Sequence, residues 1–281
     1  MNLKNQSLTM MNFKEKVEKQ FGSFYLSPKT FTKNQYHMYA DYVELVSLFS
    51  EKTFVTATDV INRFKSEDIS PYHNQTSFMG EDVSDDSELF EKPESFDKQE
   101  LWSNEIFEIL ETRSDTYHAK YPFEVDGNKI ILKEDLTQIQ KIYLILLLSS
   151  NLNYFNQFQP ILTTEFETIS SHAIKAILPI NAIIKRIGKE PDYSGSAAVK
   201  IKALAVDLNI EVREKEIEKA VISKQEKGLD LIAWTPFTDK IPNMLIILCQ
   251  CACGKDWPSK QNETRRYNSY LDLYKSIPVH Y

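Results

Sequence analysis

Two apolar runs near the C-terminus dominate the pattern: Leu229-Asp230-Leu231-Ile232-Ala233-Trp234, and Asn243-Met244-Leu245-Ile246-Ile247-Leu248-Cys249-Gln250-Cys251-Ala252. Runs of this length, apolar on both faces and bounded by Gly228 and Pro242, predict two buried strands joined by a short polar turn. One acid, Asp230, interrupts the first run, and one amide, Gln250, stands where the second ends. A carboxylate within a buried strand is costly unless it is paired or binds a metal. Asp230 is therefore the first candidate for chemistry, the alternative being a strand-end aspartate turned to solvent.

Around this pair the second half alternates helix and strand. Residues 163–178 predict a helix that Thr163 or Thr164 caps, with Glu165 and Glu167 in its first turn and Pro179 at its end. Residues 182–187 read as a strand and 197–208 as a helix opened by Ser194-Gly195-Ser196. Residues 210–212 read as a short strand, 214–225 as helix or exposed loop, and 263–274 as a final helix after a turn at 254–260. The first half is mainly helical, over residues 10–21, 34–50, 60–65, 101–113 and 136–155, with Thr56-Ala57-Thr58-Asp59 as an N-cap for the third of these. Asp126-Gly127-Asn128 between two β-rich runs predicts a hairpin over 121–133. The acidic stretch 80–100 reads as a solvated loop or linker, or as a mimic of nucleic acid that docks on a basic partner. Asn, Gln and Pro accumulate at 155–160, which sets two domains: 1–157, mainly α with one hairpin, and 158–281, an α/β domain with the order αβαββ.

Charge sharpens this division. The 281 residues carry a formal net charge of -7, which excludes a uniformly basic nucleic-acid binder. From Asn156 onward there are 17 Lys and Arg against 15 Asp and Glu, whereas the preceding part holds 16 against 25. An anionic substrate is expected to meet the second half. No apolar core opens the chain and the longest apolar run, 142–148, is too short to span a bilayer, so the expectation is a cytoplasmic protein with no membrane partner. Cys249, Cys251 and Cys253 share one face of a strand and read as small buried residues rather than a zinc site, for want of a fourth ligand and a spanning turn. His172 reads as a packed or surface histidine, and Trp234 and Trp257 as core or lid aromatics. Neither a nucleophile elbow nor a phosphate-binding glycine loop occurs, so serine-type hydrolysis and ATP hydrolysis find no support.

Glu165-Phe166-Glu167, Gly228-Leu229-Asp230 and Gln250-Cys251-Ala252, taken in order, resemble the motifs of the restriction-endonuclease-like PD-(D/E)xK nucleases, most of all the Mrr-type branch. The string from Gly228 to Trp234 with Gln250 to Trp257 is also similar to a nuclease module of bacterial anti-phage defence loci. The resemblance covers residues 163–260. It implies a restriction-endonuclease-like core that cleaves DNA with Mg²⁺ or Mn²⁺, held by Asp230, Gln250 and Glu167, with a helicase or other ATPase of a defence system as a partner and oligomers within its range. The family's lysine lies two residues beyond the amide, where this chain has Ala252. Lys255, or else Lys260, is the expected replacement for the catalytic ammonium; without one the fold serves as an inactive subunit that binds DNA or protein. In the first half, the paired helices at 34–50 and 60–65 resemble a helix-turn-helix, with ordinary helical packing as the alternative, and the hairpin resembles the wing of a winged-helix domain.

Overall fold

A computed structural model describes residues 36–50, 52, 54–66, 95–187, 192–222, 229–236, 245–253, 260 and 271–275. The chain divides into two compact units, Met1–Leu147 and Leu148–Tyr281. It is a mixed α/β protein, and the described residues form two small antiparallel sheets of three strands each. No described helix is long and apolar enough to cross a membrane. The expected helices at 10–21 and through most of 263–274, and the strand after 276, lie outside the described residues.

The first unit runs α1 (Tyr36–Phe49), β1 (Phe54–Thr56), α2 (Ala57–Ser66), α3 (Ser95–Tyr117), β2 (Phe123–Asp126), β3 (Lys129–Leu132) and most of α4 (Gln138–Ser150), whose last three residues fall in the second unit. Its strand order is β1-β3-β2. The hairpin forms where the sequence predicts it. Gly127 takes a positive φ of 53°, as the first central residue of a two-residue turn between paired Asp126 and Lys129 requires. Thr56 and Asp59 cap α2 reciprocally, Asp59 Oδ2 accepting the Thr56 N–H at 2.9 Å and Thr56 Oγ1 accepting the Asp59 N–H at 3.2 Å. The simple helix-turn-helix of the first two helices is not what forms, because Phe54-Val55-Thr56 is a strand that pairs with β3. Its aromatic and β-branched side chains suit a half-buried strand, and Lys129 Nζ lies 4.4 Å from the centre of the Phe54 ring. Two further corrections concern α3 and α4. Residues 95–100, expected as linker, already belong to α3. Helix α4 stops at Ser150, five residues before the predicted end, and turns follow. Phe64 fills the core beside Trp102 (4.3 Å between ring centres) and Tyr39 (5.4 Å), all nearly edge-on.

The second unit runs α5 (Gln159–Ile177), β4 (Ile183–Arg186), α6 (Ala197–Leu208), α7 (Glu214–Ile222), β5 (Leu231–Trp234) and β6 (Ile246–Cys249). The strand order is β4-β5-β6, antiparallel throughout, with Leu231 opposite Cys249 and Trp234 opposite Ile246. Ile232 and Trp234 join Ile201, Leu204, Leu208 and Ile217 in one core, with Ile246 and Leu248 packed against it. Leu231 and Ala233 point the other way, are fully buried, and lie in a strand that α5 packs against. Helix α6 follows Gly195, whose φ of 103° a side chain rarely adopts and whose missing Cβ would sit 3.1 Å from Val199 Cγ1. Asn209 ends it in the left-handed conformation. At 210–212 the expected strand reduces to one bridge, between Val212 and Tyr274.

Candidate active site

Helix α5 begins at Gln159 with Pro160 in its first turn, four residues before the expected start at Thr163. Thr163 and Thr164 are consequently not caps. Their hydroxyls donate back to Gln159 O at 2.8 Å and Pro160 O at 2.9 Å, inside the helix. Glu165 and Glu167 stand about two turns in, away from the helix N-terminus. Glu167 is 6% exposed and its Oε2 is closed to solvent, whereas Glu165 is half-buried. Residues two apart on a helix do not share a face, so the two glutamates do not act on the same point.

Asp230 stands immediately before β5 and is half-buried. Its backbone joins both neighbours: the N–H donates to Cys249 O at 3.1 Å, and the carbonyl accepts the Ile187 N–H at 2.7 Å. The β5–β6 register, continued one residue past the pair Leu231–Cys249, sets Asp230 opposite Gln250. The side chain reaches one residue further. Oδ2 accepts the Cys251 N–H at 2.6 Å, a charge-assisted bond that ties the start of one strand to the exit of the next. This is a specific version of the strand-end reading: the carboxylate is spent in part on a backbone amide.

The same corner gathers the Cys251 side chain. Burial pushes its thiol up to about 12, the charges of Asp230 and Glu167 push the same way, and a hydrogen bond with Ser170 pulls against them. Burial also raises the Cys249 thiol. A thiol held protonated in this way is neither a nucleophile nor a ready metal ligand. The three cysteines are partly rather than fully buried. Cys251 and Ser170 were not singled out from the sequence as site residues. The signals that point to them are the three-residue helical spacing from Glu167 to Ser170 and the position of Cys251 next to Gln250.

The structure thus aligns Gln250 with Asp230 and buries Glu167 on α5, which packs against β5. Lys255, Gly228 and Trp257 lie outside the described residues. Lys260 is half-buried, with no described residue beside it in sequence. Trp234 is core, 1% exposed, and His172 lies on the surface. Among the described residues no three His, Cys, Asp or Glu side chains are grouped to hold a metal ion. Two carboxylates and an amide oxygen remain a chemically suitable set for Mg²⁺, which prefers oxygen and needs one or two protein carboxylates besides its waters. No family model matches the chain, and neither a curated protein nor a solved structure matches it.

Proposed function

We propose that the second unit is a restriction-endonuclease-like domain that cleaves DNA with Mg²⁺, in a bacterial defence or restriction setting. The observation that carries this reading is that Asp230, at the head of β5, stands opposite Gln250, where the chain leaves β6, while Glu167 is buried on α5, a helix that packs against β5. The element order α5-β4-α6-α7-β5-β6 agrees with it, with one extra helix before the strand pair. Asp230, Glu167 and the Gln250 amide oxygen would hold the ion, which when bound polarises the phosphate and lowers the pKa of a bound water. The Cys251 N–H fixes Asp230 in one orientation at the strand end. Lys255 or Lys260 supplies the ammonium that Ala252 does not.

A second reading draws on the same hydrogen bond. Asp230 already has a structural duty, and the described residues hold no metal triad; both suit a nuclease fold kept as a binding subunit. For the first unit, the order helix–strand–helix–helix–hairpin and the strand order β1-β3-β2 support a winged-helix reading. The outer face of α3 bears Glu100, Glu105, Glu108, Glu111 and Asp115, all exposed. A helix of that charge is unsuited to a DNA groove, which favours recognition of a protein, such as the ATPase of a defence system. The deciding experiment incubates full-length protein with plasmid DNA and Mg²⁺ beside Asp230→Ala. Cleavage lost in the variant supports the enzyme. DNA binding without cleavage in both supports the subunit, and equal cleavage by both removes Asp230 from the site.

A further inference from the structure

The first unit buries a charged cluster that the nuclease reading does not use. Glu44 on α1 is 0% exposed, in the middle of the core. Three donors from three other places converge on a single oxygen, Oε1: Arg113 Nη1 of α3 at 2.9 Å, the Tyr121 hydroxyl ahead of β2 at 2.5 Å, and the Tyr143 hydroxyl of α4 at 2.9 Å. Arg113 Nη2 also contacts Asp41 Oδ1 at 2.7 Å and donates to the His37 carbonyl at 3.1 Å. Lys133, beyond β3, donates to the Tyr121 carbonyl at 3.0 Å rather than to Glu44. The cluster therefore holds two carboxylates and one guanidinium, a net charge of -1 when all three are ionised. Glu44 Oε2 is buried, and among the described residues no hydrogen-bond partner reaches it.

That asymmetry has a chemical consequence. An ionised carboxylate spreads its charge over both oxygens, so half of it would sit on a buried atom that no donor among the described residues reaches. Protonating Oε2 removes that charge and leaves Oε1 as the acceptor for all three donors. A neutral hydroxyl without a partner costs far less than a buried charge in the same place. We infer that Glu44 is a proton-operated latch: with its proton bound, α1 is held to α3, α4 and the hairpin more firmly than with the proton released.

The balance of forces on the carboxyl agrees. Burial raises it above the ordinary carboxylate range; Arg113 opposes this, Asp41 adds to it, and the Tyr121 hydrogen bond opposes it. A carboxyl raised in the folded state contributes stability that is complete below its unfolded-state value and is lost as pH rises through the folded-state value. The first unit should therefore loosen on going from mildly acidic to higher pH, the reverse of an exposed, ion-paired glutamate.

The test is amide hydrogen exchange on the full-length protein, followed by mass spectrometry in peptides of α1 and α3 and corrected for the intrinsic pH dependence of exchange. Relative to Glu44→Gln, wild-type opening should increase with pH, by at most about tenfold per pH unit, the limit for one proton. A ratio that is flat, or that falls with pH, overturns the proposal. Should Glu44→Gln fail to fold, ¹³C NMR of glutamate carboxyls decides on the Glu167→Gln variant, which lacks the other buried glutamate. One resonance titrating above all exposed glutamates is the expected result, and none doing so refutes the latch.

Discussion

The two units bury carboxylates in opposite ways. Glu44 is enclosed by side chains from α3, α4 and the approach to β2, the two tyrosines lying 77 and 99 residues away in sequence. Asp230 is half-buried at a sheet end, and the bond that fixes it comes from a backbone amide 21 residues on. A carboxylate surrounded by donors from several elements holds those elements together, and burial closes its other oxygen to a ligand from solvent. One that accepts a backbone amide at a strand end is oriented while standing half-buried, where a ligand can reach it. Burial alone does not separate the two cases, because Glu167 is nearly as buried as Glu44; the source and number of the donors do.

The comparison breaks most visibly at Arg113. At a pH high enough for Glu44 to have released its proton, Arg113→Met should destabilise the first unit by about 3–5 kcal/mol, since it strands Glu44 without its counter-charge. Denaturant unfolding followed at Trp102, which is fully buried there, measures this. A loss below 1 kcal/mol, on the order of a surface ion pair, would mean that Glu44 is already neutral or otherwise paired. Next in size is Tyr121→Phe, which removes the 2.5 Å hydroxyl donor and should cost about 1–3 kcal/mol by the same measurement. The smallest effect is expected in the second unit. Asp230→Asn keeps an acceptor for the Cys251 N–H and should shift stability by about 1 kcal/mol or less, read from the unfolding midpoint. A shift as large as that of Arg113→Met would make Asp230 a structural residue of the same kind as Glu44 and dissolve the contrast.

Local patterns account for what the sequence made legible. Asp126-Gly127-Asn128 between alternating runs specified the hairpin, and helix α6 forms at the predicted residues. The strand pair carrying Asp230 and Gln250 was visible in its apolar content, though the described strands are shorter than the runs. Strand β1 was not legible because three residues carry no periodicity, and its partner β3 lies more than 70 residues on. The start of α5 was read at Thr163 rather than at Gln159, since proline is tolerated in the first turn of a helix and at a break alike. The same misreading put Thr163, Thr164 and the two glutamates at a helix end they do not occupy. For the site, residue types pointed to Asp230 and Glu167. The bond from Cys251 to Asp230 depends on the pairing of β5 with β6, which local spacing alone does not fix. The Glu44–Arg113 pair was equally hidden: each is an ordinary polar position on its own helix, and only the packing of α1 on α3 joins them.

The most direct measurement of the central claim is plasmid cleavage in Mg²⁺ by full-length wild-type protein and Asp230→Asn, each first shown to unfold at the same midpoint. The account predicts cleavage by the wild type and none above background by the variant, because the amide preserves the bond to Cys251 but not the negative charge a divalent ion needs. Equal cleavage by the two folded proteins would contradict it.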